Sequence, residues 1–239
     1  MIFSPRVNVR FNPSEAVNLR VSYAGGYRAP QAFDEDMHIA IVGGKRVRIR
    51  LADDLREERS HSVSLSADLY HTFGKVQTNL LVEGFYTILD DVFALRDMDD
   101  AADGGKVKER YNGAGATVRG FNVEGRAAFT RWFELQAGVT LQQSRYKEPE
   151  FWSEDAEVPP VRRMFRTPDA YGYFTASFKP VRNFTADLSG TCTGSMLVQH
   201  MAGSGVAQDV AVSTPSFFDM NIRLSYDVRI YKEITMQLY

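Results

Sequence analysis

The sequence predicts an all-β, antiparallel chain built from hairpins, forming about ten strands of an up-and-down transmembrane β-barrel. Three observations carry that prediction. Segment after segment alternates apolar and polar residues with a period of two, the mark of a strand with one dry and one wet face. No segment of about eleven residues or more keeps the 3.6-residue period of a helix. Connections alternate short, long, short, long, as in a membrane barrel whose tight turns lie at one end and whose large loops lie at the other. The strands also run to about ten residues or more, beyond the roughly five or six usual in soluble sheets.

Taken in order, Arg6 to Phe11 and Val17 to Ala24 make the first hairpin. Val17, Leu19, Val21 and Tyr23 share one face, and Asn18, Arg20, Ser22 and Ala24 share the other. Asn12-Pro13-Ser14-Glu15 reads as the turn, with a polar opener and Pro to fix φ. A long loop spans Tyr27 to Ser60. Ser62 to His71 alternates Val63, Leu65, Ala67 and Leu69 with serines, then turns at Thr72-Phe-Gly-Lys75, where Gly74 admits positive φ. Val76 to about Leu95 reads as one long strand, followed by a polar loop from Arg96 to Gly115. Thr117 to Phe129 and Phe133 to Ser144 form the next hairpin about Thr130-Arg131-Trp132. A proline-studded loop covers Tyr146 to Pro168. Ala170 to Lys179 turns at Pro180-Val-Arg-Asn183 into a strand from Phe184, and Met196 to Pro215 is a loop. Phe218 to Val228 turns at Tyr231-Lys-Glu233 into a last strand from Ile234.

Alternation assigns the faces. Leu135, Val139, Leu141, Ile222 and Leu224 are expected to meet lipid, as is Cys192; Gln136, Thr140, Asn221 and Arg223 are expected to meet the lumen. Tyr23, Tyr86, Tyr226 and Phe129, on apolar faces near strand ends, read as girdle residues. A soluble sandwich also alternates its faces. The wet faces here carry Arg20, Glu83, Glu124, Arg126, Asp187 and Arg223, which suits a hydrated lumen.

Composition excludes several classes. The 239 residues balance 28 Lys and Arg against 30 Asp and Glu, a net charge of −2, so there is no nucleic-acid footprint. The single cysteine forms no internal disulfide. No apolar run reaches the roughly 18 residues of a membrane helix, which leaves a membrane barrel open because its strands need only about ten alternating residues. Met1-Ile2-Phe3-Ser4-Pro5 lacks the basic region of a signal peptide, and Ile234 to Tyr239 stops in mid-strand, so a piece of a longer protein is expected.

Two stretches resemble a known family. Tyr27-Arg28-Ala29-Pro30, ending a strand and opening a large loop, is similar to the aromatic-Arg-Ala-Pro element in the barrels of TonB-dependent outer-membrane receptors. Leu55-Arg56-Glu57-Glu58-Arg59-Ser60, closing that loop, resembles the family's Leu-x-Pro-Glu-x-Ser, with Glu57 in place of Pro. The spacing of the two agrees. The wording of Gln31 to His38 and Ala67 to Tyr70 most resembles Bacteroidetes-type receptors for ferric siderophores. The resemblance implies a barrel of about 22 strands around an N-terminal plug. Residues 1–239 are then expected to be one barrel segment, lacking the plug and the family's last strand. It further implies TonB-energised uptake of a scarce nutrient, foremost a ferric siderophore, in the bacterial outer membrane. Implied partners are outer-membrane lipid, the TonB complex through the plug region, and a small-molecule chelate, with no cofactor and no enzymatic step.

Candidate ligand residues lie in the loops. Lys45, Arg46, Arg48 and Arg50 alternate with Val47, Ile49 and Leu51, so the first loop is expected to hold its own β-ribbon. Guanidinium groups bind oxyanions in a bidentate fork, which makes Arg46, Arg48 and Arg50 candidates for an anionic chelate. Phe151 and Trp152 are candidates for stacking on a planar ligand. His38, His61, His71 and His200 have no convergent partners in sequence, and Asp97 to Gly104 fails the calcium-loop register. Two rivals stand beside the receptor reading. One is a complete ten-stranded barrel enzyme using Asp36 and His38; the other is a glycan-binding surface sandwich.

Overall fold

The structure, a computed structural model, describes residues 3–30, 47–98, 106–153, 155, 157–203, 205–231 and 234–239. Every regular element among them is a strand. In chain order these are β1 (Arg6–Ser14), β2 (Val17–Arg28), β3 (Val47–Leu51), β4 (Glu58–Phe73) and β5 (Val76–Asp90). Then come β6 (Phe93–Asp97), β7 (Lys106–Asn112), β8 (Ala116–Thr130), β9 (Phe133–Glu150) and β10 (Val161–Arg163). The rest are β11 (Ala170–Val181), β12 (Phe184–Thr193), β13 (Leu197–His200), β14 (Val210–Ser213), β15 (Phe217–Tyr231) and β16 (Ile234–Leu238).

Ten of these strands form a wall in the order β1-β2-β4-β5-β8-β9-β11-β12-β15-β16, each antiparallel to its neighbours, with β10 paired to β9. The remaining strands lie in the long connections. They form a three-stranded sheet, β3-β7-β6, and a ribbon, β13-β14.

Register carries the two faces across the whole wall. One row runs Val9, Val21, Leu65, Gly84, Phe121, Leu141, Ala170 through successive strand pairs. The adjacent row runs Arg10, Arg20, Ser66, Glu83, Asn122, Thr140, Tyr171. Leu135, Ala176, Leu188 and Ile222 form another apolar row, and Gln136, Thr175, Ser189 and Asn221 its polar neighbour. The expected lipid and lumen assignments therefore fall on two continuous surfaces. Cys192 is exposed and lies opposite Gly172 and Phe218 on the apolar one.

That apolar surface is uncovered, with Ile222 72% and Phe121 65% accessible. Among the described residues the buried apolar set is Ala52, Ala116 and Ala176. A soluble sandwich buries the inner faces of both sheets, so this layout overturns that alternative. The hydrophobic surface of this fold faces outward, as a transmembrane barrel requires.

Aromatic rings replace a packed core locally by covering glycines directly opposite. Phe85 lies over Gly120, Tyr173 over Gly138, Phe121 over Gly84 and Phe174 over Gly190. A Cβ on Gly138 would approach the Tyr173 ring to 2.6 Å. The missing side chain leaves room for the ring, and the ring shields the exposed glycine backbone.

The short turns show how local chemistry closes each hairpin. Gly74 alone has positive φ in its two-residue loop, 63°, the pattern of a type II′ turn, and Phe73 pairs Val76 without a register shift. Glu15-Ala16, Arg131-Trp132 and Arg182-Asn183 have no glycine, and their hairpins each carry a shift just before the turn. A bulge supplies the twist that a primed turn would otherwise give. The first turn corrects the expectation of Asn12 to Glu15. β1 continues to Ser14, and Pro13 falls within the register shift of a strand paired on one side only, where its missing N–H is tolerated.

The long connections depart further from expectation. The single strand expected from Val76 to Leu95 breaks at Asp91, whose φ of 55° turns the chain out of the wall. Aspartate tolerates this left-handed conformation because its short side chain can bond locally. The expected loops at Arg96 to Gly115, Tyr146 to Pro168 and Met196 to Pro215 contain β7, the end of β9 with β10, and β13 with β14. The expected ribbon of the first loop is a strand, β3, but its partner is β7 of the second loop, paired in parallel.

Candidate functional site

The connections after β2, β5, β9 and β12 all leave the wall at one end, and they form its rim. The first joint of this rim is made from the two motif stretches. Arg28 ends β2 opposite Glu58, which starts β4. The Arg28 guanidinium donates to the Glu58 carboxylate at 2.7–2.8 Å and lies 5.0 Å over the Phe93 ring. The same carboxylate accepts the backbone N–H of Phe93 at 2.5 Å. Glu58 thus ties the ends of the first loop to the start of β6 in the second.

Asn112 makes the second joint. Its side-chain amide donates to the carbonyls of Arg56 and Asp91 at 2.9 and 2.8 Å and accepts the Arg56 N–H at 2.8 Å. Arg56 also pairs with Asp91 at 2.8 Å. These bonds hold Asp91 at the point where β5 gives way to the rim.

Between the joints, register places Arg50, Glu109 and Arg96 in one row of the rim sheet. Glu109 is buried and takes both donors of Arg96, at 2.5 and 2.8 Å. Arg96 also lies 5.0 Å over the Tyr111 ring. On the opposite face Arg110 is only 1% accessible, 5.9 Å from Phe93. Burial and then the Glu150 charge push the Tyr111 phenol above its usual range, and Tyr146 is raised in the same order. Glu150 itself is raised by burial. Glu57 is lowered, first by its bond from Arg59 and then by its own backbone N–H.

A separate set of contacts joins the two later loops. Phe165 bridges Leu197, Ser153 donates to Asp209 at 2.7 Å, and Arg163 donates to the Ser195 carbonyl at 2.8 Å.

The candidate residues distribute over this rim unevenly. Arg46, with Lys45, Asp36 and His38, lies outside the described residues. Arg48 stands on β3 opposite Val107. Arg50 is open, its side chain 60% accessible, with the Asp53 carboxylate 3.8 Å away. Phe151 is 74% accessible, whereas Trp152 is half-buried, edge-on to Phe165 at 5.4 Å. Most of the acidic stretch after Asp97 is likewise outside the described residues. Glu109, Tyr111 and Asn112 carried no signal in sequence, because their partners come from another loop. Glu58 did carry one, since it lies in the closing motif.

Residues 1–239, the whole chain, match the family described as TonB dependent receptor-like, beta-barrel. The chain belongs to that family. Its fold is also that of solved receptors. The ferric enterobactin receptor PfeA of Pseudomonas aeruginosa matches with a TM-score of 0.64 at 15% identity, over 98% of this chain and 33% of that one. The ferric-catecholate import receptor Fiu of E. coli K12 matches at 0.61 and 13%, over 97% and 29%. The FrpB iron transporter of Neisseria meningitidis matches at 0.61 and 15%, over 93% and 32%. The chain therefore spans about a third of the length of these proteins. No curated protein matches the sequence.

Proposed function

We propose that this chain forms part of the wall and rim of an outer-membrane receptor that takes up a ferric siderophore, energised through TonB. Residues 1–239 are barrel throughout in this reading, about ten strands of a barrel of about 22 whose lumen holds a plug. The observation that carries it is the family match over the whole chain, joined to structural likeness to receptors described as importing ferric chelates. The open order of the wall, from β1 to β16 without closure, agrees with a segment of a larger barrel. Arg46, Arg48 and Arg50 meet the anionic chelate, and Phe151 with Trp152 flanks it. Arg50 and Phe151 are the members with open side chains.

The test is accumulation of labelled ferric catecholate by iron-starved cells carrying the intact receptor. Uptake that requires TonB and falls about tenfold in affinity with Arg50→Gln and Phe151→Ala is expected. Equal uptake without TonB overturns the energised step. A copper transporter, OprC, shares the fold at a TM-score of 0.61, so free copper is the comparison ligand. Preference for copper over the chelate overturns the siderophore assignment.

A further inference from the structure

The outer face of the wall is not uniform along its length. Toward the short turns it carries Phe129, Phe133 and Phe178, stacked in series at 5.3 and 4.6 Å, and His71 edge-on to Phe73. Toward the rim it carries cations. Register places Arg119 and Gln143 in the row of Tyr23, Val63 and Tyr86. The next row outward holds His61, Ile88, Thr117 and Arg145. Arg59 and Asp90 form the row beyond, and Lys147 pairs with Asp90.

The carboxylates are distributed the other way. Asp68, Glu83, Glu124, Glu134, Asp187 and Asp219 all fall in luminal rows. Among the described wall residues Asp90 is the one carboxylate in an outer row, and Lys147 occupies it. Arg59 is held by Glu57 of the adjoining loop at 2.7 Å. Arg119 is exposed and donates only to the neutral Gln143 amide, at 2.8 and 3.2 Å. Arg145 stands diagonally across the strand pair from Arg119, on the same face; on its other side it lies opposite Arg163 of β10, whose guanidinium already holds Asp169 at 3.2 Å. Diagonal neighbours approach to about 7–8 Å, so the two guanidinium groups share one patch, and among the described residues no carboxylate forms an ion pair with either.

We propose that Arg119 and Arg145 bind the phosphate groups of lipid in the leaflet at the rim end. This inference rests on the transmembrane reading of the wall, but not on the siderophore assignment. The occupant follows from continuity: the patch tops the apolar rows that meet lipid tails, so lipid headgroups lie at its height. Tyr23 and Tyr86 in the same row are amphipathic side chains suited to that boundary. A lipid phosphate accepts a bidentate guanidinium bond and neutralises both charges.

Native mass spectrometry of the intact receptor, purified from membranes and offered lipid A, tests the proposal. The wild type should retain lipid A, and Arg119→Gln with Arg145→Gln should lower retention about tenfold. Arg119→Lys with Arg145→Lys should keep most of it, and supplies the readout by its salt sensitivity if the glutamine pair fails to fold. Arg20→Gln in the lumen should leave retention unchanged. Unchanged retention in the glutamine pair overturns the proposal, as does equal loss in Arg20→Gln. Displacement of the lipid by millimolar inorganic phosphate would assign the patch to free anions and overturn the lipid source.

Discussion

The wall and the rim use the same β-pairing in different ways. In the wall, each strand pairs with its neighbours in the staircase of hairpins, and one parity rule assigns every side chain to lipid or lumen. In the rim, β3 and β7 pair in parallel although the whole second wall hairpin, β4 and β5, lies between their loops. Single polar groups then hold the result in place: Glu58 at one joint and Asn112 at the other. The wall is stabilised by many equivalent pairs and the rim by a few unequal ones. Damage to the wall should be graded by face, and damage to the rim by partner.

The largest expected effect tests the face rule. Ile222→Arg places a charge on the apolar surface and should destabilise the intact receptor by about 2–4 kcal/mol if it lies near mid-bilayer, while Asn221→Arg should change little. Urea unfolding in vesicles measures both, and equal tolerance would break the assignment. Val139 and Thr140 form a poorer pair, because Thr140 is only 8% accessible and donates to Asn122 at 3.2 Å. An arginine there would fail for lack of room.

Glycines divide the wall more finely. A Cβ on Gly190 runs into the Phe174 and Phe218 rings, so Gly190→Ala should cost about 1–3 kcal/mol through overpacking. Gly125, with nothing within 4 Å of its Cβ position, should accept alanine within about 0.5 kcal/mol. Thermal unfolding of the two variants compares them, and a larger loss at Gly125 would contradict the ring-over-glycine packing.

Glu58→Gln sharpens the contrast with the rim. It weakens the bonds to Arg28 and to the Phe93 N–H, and because Arg28 is more than half exposed the loss should be about 1–2 kcal/mol. That loss should appear as faster hydrogen exchange in β6 and β7 with β5 and β8 unchanged. Faster exchange throughout the wall would show that the two regions are not separable.

The smallest effect is a response to pH. Burial raises Glu150, so its charged form is disfavoured in the fold. The penalty is absent below the ordinary glutamate value and grows as pH rises through the raised value. Mild acid should therefore slow exchange around Tyr111 and Tyr146, and Glu150→Gln should abolish that response. Glu57 has the opposite sign: its bond from Arg59 is present above the ordinary glutamate value and is lost as pH falls through the lowered one. An unchanged pH response in Glu150→Gln would place the titrating group elsewhere.

The sequence by itself determined the wall. A period of two states which residues share a face, and short turns force neighbouring strands together, so Leu135 and Ile222 could be assigned to one surface before their rows were known. It also marked the rim's anchor, because Arg28 and Glu58 stand in the two motif stretches that bound the first loop. Only the tertiary structure decided the pairing of β3 with β7, the exit of the chain at Asp91 and the role of Asn112. A wall strand meets a partner supplied by its own hairpin, so its local pattern is enough. A rim strand meets one supplied by another loop, and the alternation in Val47–Leu51 is equally compatible with any edge that long loops can bring to it.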